Sequence, residues 1–194
     1  MSRFCLLLLP WLVFWCGNAA LAADTEAIGA AVERAFASFQ SLEEGENAQY
    51  IPALAQADSD AFGIVVFTVD GEVIARGDTE QAFAIMSAAK PFTLALLLQQ
   101  QGAELVLERI GVEPTGLPFN SLEGIDRSRH QPLNPMVNAG AITAVSLLEV
   151  DAPEQRWAML LDYYSRFAGT PLSLMSDVYK SVSGSNYRNR ALVN

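Results

Sequence analysis

Apolar residues recur every three or four positions in "DTEAIGAAVERAFASFQSL", where Ile28, Val32, Ala35, Phe36 and Phe39 fall on one side of a helix. Asp24 or Thr25 is a fitting N-cap, because a short polar side chain accepts from the first unpaired amides, and Gly45 is expected to close the segment. "AQYIPALAQAD" leads on to a change of period. In "FGIVVFTVDGEVIARGD", two β-branched runs flank Asp70-Gly71, the chemistry of a tight hairpin turn. The first run, Ile64 to Val69, is nearly continuous in apolar residues, which predicts a strand covered on both faces.

From Ser87 onward the pattern is helical. "SAAKPFTLALLLQQQG" predicts a buried helix closed by Gly102, and "ELVLERIG" a shorter one ended by Gly111. "EPTGLPFNSLEGID" reads as loop and "NPMVNAGAITAVSLLEV" as helix. "APEQRWAMLLDYYSRFAG" predicts a helix with Trp157, Leu160, Leu161, Tyr164 and Phe167 on one face, and a last helix begins in "NYRNRALVN". Two strands are too few for an independent sheet. The expected domain is therefore an incomplete α/β (α+β) one, whose remaining strands come from more of the same protein or from other material.

The N-terminus changes the picture. Arg3, the apolar stretch "FCLLLLPWLVFW" and Ala20-x-Ala22 fit a signal peptide over 1–22, with cleavage before Ala23 and one domain over 23–194. Pro10 and Gly17-Asn18 interrupt the run short of the roughly 20 apolar residues of a spanning helix. The expected location is outside the cytoplasm, in the periplasm, with an uncleaved membrane anchor as the alternative. Cys5 and Cys16 both lie in this leader, so the mature chain has no thiol for a disulfide, a metal or a nucleophile. His130 is the single histidine, in the polar loop "DRSRHQPLNP", which excludes multi-histidine metal sites. No cofactor is expected. The formal net charge is −10 with no cluster of Lys or Arg, which excludes a nucleic-acid partner that reads phosphates.

The candidate chemistry lies in "FAIMSAAKPF". Ser87 and Lys90 are three residues apart, a spacing that puts both on one helix face. A serine hydroxyl attacks only when a base removes its proton, and a lysine serves if burial lowers its pKa. Phe83, Ile85, Met86, Phe92, Leu94, Leu96 and Leu97 surround Lys90 in sequence, and Lys180 is the chain's only other lysine. The bland alternative is an N-capping serine and a lysine whose stem lies along apolar surface. A penicillin-recognising acyl enzyme would add Ser-Asp-Asn and Lys-Thr-Gly elements, and neither is present; Tyr187-x-Asn189 imitates a Tyr-x-Asn second element at a long spacing, which keeps this reading as the lesser alternative.

"YIPALA", "FGIVVFTVDGEV", "SAAKPFTLALLL", "ERIGVEPTGLPFNS", "PLNPMVNAGAI" and "NRAL" occur in an order that resembles the serine-dependent glutaminase family, which has a β-lactamase-like fold. The resemblance runs from about Tyr50 onward. It implies that Ser87 attacks the side-chain carboxamide of L-glutamine and that Lys90 assists proton transfer. It also implies that Tyr50, Asn138 and Asn189 bind the amino acid, and it suggests a homo-oligomer. Two departures stand out: Val182 occupies the position of a glutamate that holds the substrate ammonium, and Met86 that of a glutamine. The chain also stops at Asn194, before the family's later catalytic tyrosine and strand segments. These features predict weak or lost activity. A non-catalytic remnant that binds a ligand or partner is the competing expectation.

Overall fold

The computed structural model describes residues 24–121 and 134–191; the leader assigned to 1–22 and the His130 loop lie outside the described residues. The described chain forms two compact units, residues 24–43 with 60–80, and residues 44–59 with 81–121 and 134–191.

In the first unit, α1 spans Thr25–Phe39. Asp24 caps it, its carboxylate accepting from the Glu26 and Ala27 amides at 3.1 and 3.3 Å. The helix ends well before Gly45, which turns the following loop at φ 91. The acidic run Glu43, Glu44 and Glu46 offers no apolar position to extend the buried stripe. Strands β1 (Gly63–Phe67) and β2 (Val73–Gly77) pair antiparallel, with Val65 opposite Ala75 and Phe67 opposite Val73. Gly71 makes the turn at φ 85, its amide bonded to the Thr68 carbonyl at 3.0 Å. Gly77 is required for two reasons. Its φ is 79, and a Cβ there would sit 2.2 Å from the Phe62 carbonyl oxygen and 2.5 Å from the Phe36 ring.

One face of the hairpin packs on α1, where Val32 is buried and Phe36 stacks on Phe62 with centroids 5.5 Å apart. The other face is open: Val65, Phe67 and Val73 are 45%, 73% and 54% exposed. The expectation of a strand covered on both faces is not met. Period-two alternation sends these side chains away from α1, and the described residues of the first unit include no second layer to cover them.

The second unit is helical. It comprises α2 (Pro52–Ala55), a 3-10 turn (Met86–Ala89), α3 (Lys90–Arg109), α4 (Asn138–Ser146), α5 (Gln155–Ala168), α6 (Ser176–Ser185) and α7 (Tyr187–Ala191). The helix and shorter helix expected on either side of Gly102 run together as α3, broken at that glycine by φ 79. Leu96, Leu97, Val106, Ile110, Ala144, Leu148, Leu160 and Tyr163 form the core between α3, α4 and α5. On α5 the buried face is centred on Leu160 and Tyr163, whereas Trp157 and Phe167 remain more than half exposed. Phe167 is used at the margin, against the rings of Phe92 and Tyr163. Helix α6 was not anticipated, since "SDVYKSVSGS" has too few apolar residues to declare its period. Its Ser181 hydroxyl accepts the Ala53 amide of α2 at 3.2 Å.

Candidate active site

Ser87 lies in the 3-10 turn that feeds α3, and its carbonyl accepts the Lys90 amide. The serine and the lysine therefore belong to one turn of chain. Pro91 is compatible with this position because the first helical amides have no partner within the helix. Met86, directly before the serine, has φ 45 and is the one non-glycine residue with positive φ among those described. The Ser87 hydroxyl is exposed and makes no hydrogen bond among the described residues.

The apolar neighbours in sequence do not bury Lys90 as expected. Phe83 is 82% exposed, and Ile85 and Met86 are about 40% exposed (40% and 39%), because they precede the helix and point away from its core. The enclosure comes instead from α4 and the loop before it. The Lys90 Nζ donates to the Met136 carbonyl at 3.0 Å and to Asn138 Oδ1 at 2.8 Å, and lies 5.5 Å from the centre of the Phe119 ring. Burial holds its pKa below the ordinary lysine value of 10.5.

An ammonium only donates, so Asn138 must present its oxygen to Lys90. Its Nδ2 then faces outward and donates to Asn189 Oδ1 at 3.0 Å. Asn189 in turn has its own amide nitrogen left over, without a partner among the described residues. One donor-only side chain thus sets the orientation of two amides. Lys90, Asn138 and Asn189 line a cleft of about 330 Å³ with Ala141, Ile142 and Val145. A small polar molecule would meet amide donors on one wall and aliphatic carbon on the other.

The loop before α4 is braced. Asn134 Oδ1 accepts the amides of Met136 and Val137 at 2.9 and 3.2 Å, an Asx-type turn, while its Nδ2 donates to the Glu113 carbonyl at 2.8 Å. Gly140 lets α4 approach this loop, since a Cβ there would stand 1.8 Å from the Asn134 carbonyl oxygen. The Asn138 amide bonds the Phe119 carbonyl at 2.9 Å, tying the second loop to the same helix end. Asn134, Phe119 and Gly140 were not singled out by sequence reasoning. "LNP" was the available signal for Asn134, because Asn before Pro favours such a turn.

Ser87, Tyr50 and Val182 are not among the residues that line this cleft. Tyr50 precedes α2, is 71% exposed, and makes no hydrogen bond among the described residues. Val182 is half-buried on α6 and does not line the cleft. Among the described residues, no three His, Cys, Asp or Glu side chains come together as a metal site would need.

Fold and site together define a mixed α/β domain with a Ser-x-x-Lys pair at the start of its longest described helix. A family model described as Glutaminase matches residues 45–194. A glutaminase of Colwellia psychrerythraea is 44% identical over 161 residues, covering 83% of this chain and 52% of that protein. A glutaminase of Brucella canis is 42% identical over 172 residues, covering 89% and 54%. Among solved structures, a probable glutaminase, ybaS, matches with a TM-score of 0.84 at 40% identity, over 87% of this chain and 55% of the other. Mglu in its native form matches with a TM-score of 0.77 at 33% identity, over 85% and 40%. The chain belongs to the glutaminase family. It spans about half the length of the curated relatives it matches.

Proposed function

We propose that this protein hydrolyses the side-chain amide of L-glutamine through an acyl-enzyme on Ser87, with Lys90 as the base. The observation that carries this reading is the half-buried Lys90 amine, which follows an unengaged serine hydroxyl by one turn of chain and lines a cleft with two asparagines. In the first step the Ser87 proton passes to Lys90 as Oγ bonds the carboxamide carbon. The C–N bond then breaks and ammonia leaves with that proton. Water then gives a proton to the same amine as its oxygen bonds the ester carbon, and the C–Oγ bond breaks with that proton returning to Ser87 as glutamate leaves. The spare amide hydrogens of Asn138 and Asn189 suit the substrate's carboxylate, and Tyr50 contributes to substrate binding as the family resemblance implies. The relatives' names support the substrate, as does a solved structure of Mglu in an L-glutamate binding form.

Ammonia release from L-glutamine by the purified protein tests this. Ser87→Ala is expected to lower it by on the order of 10³-fold or more, and release unaffected by that change would remove Ser87 from the mechanism. Val182, an apolar residue where the family resemblance implies a carboxylate, favours a second reading, a ligand-binding relative without turnover. Calorimetric binding of glutamine without ammonia release would select it. The leader is proposed to direct export, with a mature N-terminus at Ala23 to be read by intact-mass spectrometry. A homo-oligomer is the proposed assembly, to be read by light scattering.

A further inference from the structure

We propose that Asn138, braced by Asn189, is a positioning residue for the Lys90 amine, holding it by the N–H bonds that survive deprotonation. This rests on the reading of Lys90 as the base. The argument is a count of donors and acceptors. A neutral amine has two N–H bonds and one lone pair, and Nζ has two protein acceptors, the Met136 carbonyl and Asn138 Oδ1. Both are satisfied by the neutral form. The third proton of the ammonium finds only the Phe119 ring and solvent.

The two acceptors are held in different ways. The Met136 carbonyl belongs to backbone fixed by the Asn134 turn. A side-chain amide turns about its own bonds, and the outward bond from Asn138 Nδ2 to Asn189 Oδ1 stops that rotation. Hydrogen bonds to a charged donor are the stronger kind, so the two acceptors alone would favour the ammonium. Burial acts in the opposite sense and lowers the pKa.

No ion pair reaches Lys90 among the described residues. Helix α4 carries no titratable side chain, and the 3-10 turn carries only the Ser87 hydroxyl. Helix α5 carries Arg156, Asp162, Tyr163, Tyr164 and Arg166, with Asp162 paired to Arg166 and Tyr164 bonded to Thr93. Helix α7 adds Tyr187, Arg188 and Arg190 to the sequence around the site. When the Ser87 O–H bond breaks and the third N–H bond forms, both existing bonds persist.

Lysine NMR on the intact protein tests this, because Lys90 and Lys180 are the only two lysines and Lys180 is exposed on α6. With ¹³C-lysine labelling, the two Hε protons of Lys90 should be resolved and those of Lys180 merged. Asn138→Ala should merge the Lys90 pair while leaving Lys180 unchanged, and Asn189→Ala should narrow the splitting. Asn138→Asp should raise the Lys90 titration midpoint by about 1–3 units, as an opposite charge at this range does. A merged pair in the unsubstituted protein, or a splitting indifferent to both alanine variants with the amide spectrum intact, overturns the proposal. Should Asn138→Ala fail to fold, Asn189→Ala decides alone. The readout does not need turnover, so loss of the positioning role and failure of the Ser87 assay are separate results.

Discussion

The two units bury their apolar residues to very different degrees. The helical unit closes a core of eight residues in which Leu97 and Ile110 are fully buried. The helix-and-hairpin unit has one buried apolar residue, Val32, and leaves Val65, Phe67 and Val73 open. Both units carry similarly apolar sequence. What separates them is the number of elements available to share a face: three helices meet around Leu97, while a two-stranded sheet has one helix for one of its faces. Apolar content alone therefore does not say how much burial a segment achieves.

The strongest way to break this comparison is Leu97→Ala. It should cost about 2–5 kcal/mol in denaturant unfolding, through lost transfer energy and a cavity. Phe67→Ser on the open face should change stability by less than about 0.5 kcal/mol. Equal losses at the two sites would mean that Phe67 is covered in solution. Gly77→Ala should cost about 1–3 kcal/mol by overcrowding, because the added carbon meets the Phe62 carbonyl and the Phe36 ring. It would show that the smaller unit is tightly packed along its single closed face.

Lys90 supplies a smaller, pH-dependent effect. Its folded-state pKa lies below that of the unfolded chain, so between the two values the unfolded state binds more protons. Stability should rise with pH across that window, up to about 10.5, and the cost of the enclosed charge persists below it. Unfolding of the wild type and Lys90→Met along an alkaline pH series should show the slope only where the lysine is present. The smallest effect belongs to the exposed pair of Arg76 and Glu33, 2.9 Å apart in the first unit. Glu33→Gln should cost about 0–1 kcal/mol, and less in high salt.

Local features were the most legible. The Asp24 cap, the Asp70-Gly71 turn and the left-handed Gly111 after α3 each depend on a residue whose chemistry acts within a few positions. Helices α3, α4 and α5 followed from the 3.6-residue period, whereas α6 did not. The reading failed where tertiary partners decide. Which face of α5 is buried depends on α3, and the exposure of Phe83 depends on where the chain lies before its helix. At the site, Ser87 and Lys90 were visible because they share a turn. The contact of Lys90 with Asn138, 48 positions away, and of Asn138 with Asn189, 51 positions on, has no local signature. The family resemblance named these asparagines for substrate; only the folded geometry joins them to the amine.

The left-handed backbone at Met86 has an evolutionary consequence. A side chain in that conformation costs roughly 1–2 kcal/mol, whereas glycine there would lose only about 0.4–1 kcal/mol through its more mobile unfolded state. Position 86 is thus a place where heat tolerance and occupancy by a thioether pull in opposite directions. A library selected only for survival on heating should drift toward glycine or asparagine at this codon.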